Sequence, residues 1–107
     1  MYEYRAFVTD VYDGDTITVD IDLGFRVHMQ GIKVRLLGID APELRGSTLE
    51  KGRESRNRLK EMILSKNVLL KTVKDKKGKY GRWLATIYLN GQDINQRMIH
   101  EGFAKEY

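Results

Sequence analysis

Apolar and polar positions alternate early in the chain and predict strands. Tyr4 to Tyr12 is the first run. In Thr16 to Asp22, Ile17, Val19 and Ile21 alternate with Thr16, Thr18 and Asp20, the period of two that turns one face of a strand into a core. Asp13-Gly14 between the runs predicts a hairpin. Phe25, Val27 and Met29 continue the alternation. Beyond Gly31, Ile32, Val34 and Leu36 fall on one face, with Lys33, Arg35 and Leu37 on the other. These runs compose a three-stranded antiparallel meander.

The period changes at Ser47. Ser47-Thr48-Leu49-Glu50 has capping-box spacing, and Leu49, Leu59, Met62 and Ile63 share a stripe that predicts one long helix to about Leu64. Val68 to Val73 predicts a strand, Lys74 to Arg82 a polar glycine-containing loop, and Trp83 to Leu89 a strand closed by Asn90-Gly91. A short helix follows over Asp93 to Glu101, with Ile94 and Met98 on its inner side and Gly102 as its stop. This order lacks the strict strand–helix alternation of a parallel α/β sheet. It matches a mainly β, α+β architecture: a five-stranded OB-fold barrel with two helices, the longer one between the third and fourth strands.

Length adds that 107 residues, 41% hydrophobic and 32% charged, make one domain over 1–107 with one core and no linker or repeat. The absence of cysteine excludes disulfides, thiolate nucleophiles and sulfur-ligated zinc. Nothing near Met1 has the basic-then-apolar order of a secretory signal, and no apolar run reaches membrane-spanning length. A cytoplasmic protein, or a secreted one whose leader has been removed, is expected, and a monomer is assumed. A net charge of +4 has the sign expected for a polyanion ligand, although charge by itself does not separate binding from solubility.

The candidate chemistry lies near the meander's turns. In antiparallel neighbours the start of the second strand lies beside the end of the third, so Asp15 and Asp40 can converge, and converging carboxylates attract a hard cation. Taken alone, Asp13-Gly14 is ordinary turn chemistry and Asp40-Ala41-Pro42-Glu43 a rigid strand-to-loop turn. Arg35, set in a run of Val34, Leu36, Leu37 and Ile39, needs solvent or an anionic partner, either Glu43 or a phosphate held in a fork. Lys74, Lys76, Lys77, Lys79 and Arg82 crowd around Gly78, Tyr80 and Gly81. Such runs are usually solvated turns, but an aromatic beside a cation can also stack a base and hold a phosphate.

Asp13-Gly14-Asp15-Thr16, Val34-Arg35-Leu36-Leu37-Gly38-Ile39-Asp40-Ala41-Pro42-Glu43 and Lys79-Tyr80-Gly81-Arg82 together resemble the staphylococcal (micrococcal) nuclease family. Asn90-Gly91, Asn95 and Gly102-Phe103-Ala104-Lys105 resemble its later segment. Each motif alone is weak, but the ordered set covers nearly the whole chain and is specific. The resemblance implies an OB-type barrel in which Asp15, Asp40 and the Ala41 backbone carbonyl bind Ca²⁺, with Mg²⁺ as the alternative. It implies that Glu43 acts on the attacking water, that Arg35 and Arg82 contact the phosphate, and that Lys79 and Tyr80 help seat the nucleotide. DNA or RNA would be cleaved with little sequence preference, leaving 3′-phosphate ends.

The sequence departs from the family's pattern in two places. Phe25 to Ile32 is longer and carries His28, which is expected to face solvent, as is His100. The chain stops at Tyr107 where the family continues into another helix, and Tyr107 lies close to, but offset from, a second substrate-contacting tyrosine. A rival reading is a non-catalytic barrel that only binds nucleic acid or protein. The presence of Asp15, Arg35, Asp40 and Arg82 argues for the nuclease. A purely structural barrel would show neither cation dependence nor salt-sensitive binding.

Overall fold

The computed structural model describes residues 2–74 and 83–107. Its elements in chain order are β1 (Tyr2–Asp13), β2 (Thr16–Asp22), β3 (His28–Leu36), β4 (Ile39–Asp40), α1 (Leu49–Ile63), β5 (Asn67–Lys74), β6 (Trp83–Leu89), β7 (Gln92–Asp93), α2 (Ile94–His100) and β8 (Lys105–Glu106). The sheet runs β3-β2-β1-β5-β6-β7, with neighbours antiparallel. A parallel pairing of Val34, Leu36 and their neighbours on β3 with Trp83 to Ala85 on β6 closes it into a five-stranded barrel of the OB type.

The alternation in the sequence becomes the barrel interior. Val8, Val11, Ile17, Val19, Val34, Leu36, Leu70 and Ile87 are buried inside, where α1 adds Leu59, Met62 and Ile63, and α2 adds Ile94 and Met98. β1 serves two neighbours, pairing with β5 over Tyr2 to Phe7 and with β2 over Arg5 to Asp13. Irregularities between Val8 and Asp10 and between Val11 and Asp13 bend it from one partner toward the other.

Asn95 is buried on α2 and braces the seam. Its amide nitrogen donates to the carbonyls of Leu37 (2.9 Å) and Ala85 (3.0 Å), and its Oδ1 accepts from the Ile87 N–H (3.1 Å). The helices are joined by Glu101, which takes Arg58 of α1 in a two-point contact (2.6 and 3.2 Å) and Arg97 of α2 at 2.7 Å. The Arg58 hydrogen bond, then that of Arg97, holds the Glu101 carboxyl down at about 2. As expected, Gly102 ends α2 in a left-handed conformation, with the Phe103 N–H turned back to the Met98 carbonyl. His28 and His100 are both exposed.

Two local expectations are corrected. No capping box forms: Thr48 is the N-cap of α1 and its side chain caps nothing. Its hydroxyl donates instead to the carbonyls of Glu43 (2.8 Å) and Arg45 (3.0 Å), which ties a loop to the helix start. The strand alternation assigned to Phe25 and Val27 also fails. Register pairs Asp22 with His28, so the five residues between form the turn, in which Phe25 and Arg26 take positive φ. Phe25 and Val27 are exposed there, whereas Met29 lies in β3 opposite Ile21, with its side chain exposed as well.

Replacing Asn95 by Leu should strand the Leu37 carbonyl and the Ile87 N–H at the seam, while the Ala85 carbonyl keeps the Leu37 N–H, and should cost ~2–4 kcal/mol. Urea unfolding measures this, and a loss below ~1 kcal/mol would show that the brace is dispensable. Glu101 gives a pH signature. Because its folded value lies below its ordinary 4.5, the stability it adds is present above that value and is lost as pH falls toward about 2. Wild type and Glu101→Gln should therefore differ in melting temperature at neutral pH and converge near pH 2.

Candidate active site

The second strand begins immediately after a turn formed by Gly14 and Asp15, and Thr16 pairs in register with Arg35 of β3. This register sets the Asp15 carboxylate beside the Arg35 guanidinium. Beyond the end of β3, Gly38 at positive φ turns the chain into β4, which returns Asp40 to the same guanidinium. One Arg35 nitrogen lies 3.5 Å from an Asp15 oxygen and 3.6 Å from an Asp40 oxygen, and also donates to the Ile39 carbonyl at 3.2 Å.

Asp15 is the more enclosed of the two carboxylates. One oxygen accepts the Thr16 hydroxyl (3.1 Å) and the other accepts the Ala41 N–H (3.0 Å), so the segment after Asp40 is pinned directly to it. Asp13 accepts the Asp15 N–H at 3.0 Å. Burial, then hydrogen bonding to the Asp15 side chain, pushes the Asp13 carboxyl up to about 6. The sequence reading had treated Asp13 as a turn residue only.

Glu43 borders the same cleft but does not partner Arg35, as one branch of the sequence reading expected. It is exposed and pairs with Arg45 at 2.8 Å, while its backbone carbonyl accepts the Thr48 hydroxyl. Its backbone presses on α1 so closely that a Cβ at Gly52 would lie 2.6 Å from the Glu43 carbonyl oxygen. Gly14 likewise faces the Cβ atoms of Ala41 and Ser55, each 2.7 Å from where its own would be. Close approach thus accounts for glycine at Gly14, whose φ is negative. For Gly52 the signal was available in the sequence, since a glycine inside a helix costs ~1 kcal/mol and calls for a reason.

The last residues complete the arrangement. Ile39 and Asp40 pair with Glu106 and Lys105 of β8, the Tyr107 N–H donates to the Gly38 carbonyl (3.1 Å), and Ser55 donates to the Phe103 carbonyl. The Arg35 guanidinium consequently sits over the exposed Tyr107 ring, 5.1 Å from its centre. Asp15, Arg35, Asp40, Ala41 and Glu43 line one cleft of about 480 Å³. Lys79, Tyr80 and Arg82 lie outside the described residues.

The donor set suits a hard cation: two carboxylates drawn to one point, all-oxygen, with a third acid alongside and, among the described residues, the Arg35 guanidinium between the two. Among the described residues no three acidic or imidazole side chains gather tightly enough to enclose an ion alone. A backbone carbonyl such as that of Ala41, together with water, would have to complete the shell. A larger cleft of about 970 Å³, on the outer face of β1, β2, β5 and β6, mixes Glu3, Asp20 and Asp22 with Arg5 and Lys71. No ion pair links Arg5 to either aspartate among the described residues, so volume does not locate the chemistry there.

Comparison with known proteins supplies the lineage. The family described as staphylococcal nuclease homologue matches residues 33–107. The chain is 35% identical over 116 residues to Protein ParB of Escherichia coli, covering 98% of this chain and 58% of that protein. Against the thermonuclease of Staphylococcus intermedius identity is 35% over 101 residues, covering 92% and 56%. Against the micrococcal nuclease of Shigella flexneri it is 34% over 114 residues, covering 98% and 59%. The chain spans little more than half the length of these curated relatives. With the match running from Lys33 on β3 through the acidic cleft to Tyr107, the chain belongs to the staphylococcal nuclease homologue family.

Proposed function

We propose that this chain is a Ca²⁺-dependent nuclease that hydrolyses the phosphodiester bonds of DNA or RNA and leaves 3′-phosphate ends. The observation that carries the reading is Arg35 held between the Asp15 and Asp40 carboxylates, 3.5 and 3.6 Å away, at the mouth of an acidic cleft. The names of the thermonuclease and micrococcal nuclease relatives support it.

Asp15, Asp40 and the Ala41 carbonyl would hold the cation, with Mg²⁺ as the alternative. Bound there, a divalent ion supplies charge neutralisation for the phosphodiester and for the negative charge that grows during attack. Arg35 would present its fork of donors to the phosphate. Arg82 would share that charge, and Glu43 would accept the proton of the attacking water. Lys79 and Tyr80 hold the nucleotide, while Tyr107 props the Arg35 guanidinium from beneath and offers a face to the substrate. In this reading Gly52 is a positioning residue, because its bare Cα lets α1 support the Glu43 backbone.

The test is cleavage of single-stranded DNA with Ca²⁺, with Mg²⁺ and with chelator. Cleavage should require Ca²⁺ and fall about 10²–10³-fold in Arg35→Ala, the usual effect of losing one charge-stabilising donor. Glu43→Gln should lose about 10²–10⁴-fold in kcat. Binding of nucleic acid by the wild type with no hydrolysis in any metal would replace the nuclease with a binding barrel. Gly52→Ala forces the Glu43 backbone away and should lose ~1–3 kcal/mol of stability along with activity. Unchanged kcat in a variant that melts lower would remove Gly52 from the positioning role.

A further inference from the structure

The acidic cleft does not end at Arg35. It continues along the outside of the barrel past Thr16 and Thr18 of β2, with Lys33 of β3 on one wall and Asp10 and Tyr12 of β1 on the other. Register makes this a regular groove: Thr16 pairs with Arg35, and Thr18 pairs with Lys33 on one side and Asp10 on the other. Arg35 and Lys33 are therefore two residues apart on one face of β3, about 7 Å along the strand. That is roughly the reach of one nucleotide in an extended chain.

Tyr12 is placed there by a backbone irregularity. β1 pairs Val11 with Ile17 and then Asp13 with Thr16, so Tyr12 is the extra residue, without a partner across the ladder. Such a bulge re-aims a side chain, and Tyr12 is turned out to 64% exposure directly before the Asp13-Gly14-Asp15 turn. An exposed ring at the mouth of a cleft, opposite a line of cations, combines a stacking face with a track for phosphates.

We infer that this groove is a second nucleotide subsite, with Lys33 taking the phosphate next to the one at Arg35 and the ring of Tyr12 stacking the intervening base. The inference rests on the proposed nuclease reading and adds to it a site beyond the scissile phosphate.

Binding tests it independently of hydrolysis. Fluorescence anisotropy of a labelled 12-nucleotide oligothymidylate is read in chelator, so that nothing is cut, across a series of salt concentrations. Tyr12→Ala should weaken binding about tenfold and Tyr12→Phe should restore it, since stacking needs the ring and not the hydroxyl. Lys33→Ala should lower the slope of log affinity against log salt by about 0.7, the effect of one fewer phosphate contact on a single strand. Thermal melts of each variant report whether the fold is intact. Affinity and salt slope that stay at wild-type values in both alanine variants overturn the inference even if the protein cleaves DNA. The predicted losses in a protein that hydrolyses nothing with Ca²⁺ remove the nuclease and leave the groove standing.

Discussion

The parallel pairing of β3 with β6 turns a twisted sheet into a barrel, and almost everything of interest depends on it. Among the described residues three pairs make the seam, Val34–Trp83, Arg35–Leu84 and Leu36–Ala85. Asn95 reinforces it by bonding backbone groups on both sides. The carbonyls of Leu37 and Ala85 and the N–H of Ile87 are thereby satisfied away from water, where an unmet polar group is expensive. Arg35 lies within the seam itself. Its backbone is fixed by pairing on both sides, which leaves the guanidinium as the mobile part of a rigid mount.

The pattern of side chains made the barrel legible because burial in a small closed sheet enforces strict alternation. Ile17, Val19, Val34 and Leu36 could face nowhere else. The convergence of Asp15 and Asp40 was legible for a related reason, since meander topology alone brings the ends of adjacent strands together. The turn at Phe25 was not legible, because apolar residues with an alternating period look alike whether or not a neighbouring strand exists to cover them. The capping box at Ser47 misled for a different reason: a hydroxyl at a helix start can accept from the helix's own N–H groups or donate to nearby carbonyls, and the sequence does not say that the carbonyls of Glu43 and Arg45 lie within reach of Thr48. The Glu43 side chain pairs with Arg45 in place of Arg35.

The electrostatics of the cleft explain why one arginine among the acids is so informative. Asp13, Asp15 and Asp40 gather in a partly buried space, and there burial, then hydrogen bonding to the Asp15 side chain, pushes the Asp13 carboxyl up to about 6. Arg35 offsets the other two without satisfying them, since 3.5 and 3.6 Å are long for ion pairs formed through a single nitrogen. A cluster so arranged is braced against collapse yet still underbonded, a state suited to exchanging one positive partner for another.

β8 has a consequence in time as well as in space. Asp40 acquires its paired strand from Lys105 and Glu106, which come much later in the sequence. A ribosome delivers residues in order, so Asp15, Asp40 and Glu43 emerge before the segment that aligns Asp40. Until β8 has been made, the nascent polypeptide carries these charges in an unassembled form. The order of synthesis thus sets a delay between making the acids of the cleft and aligning them.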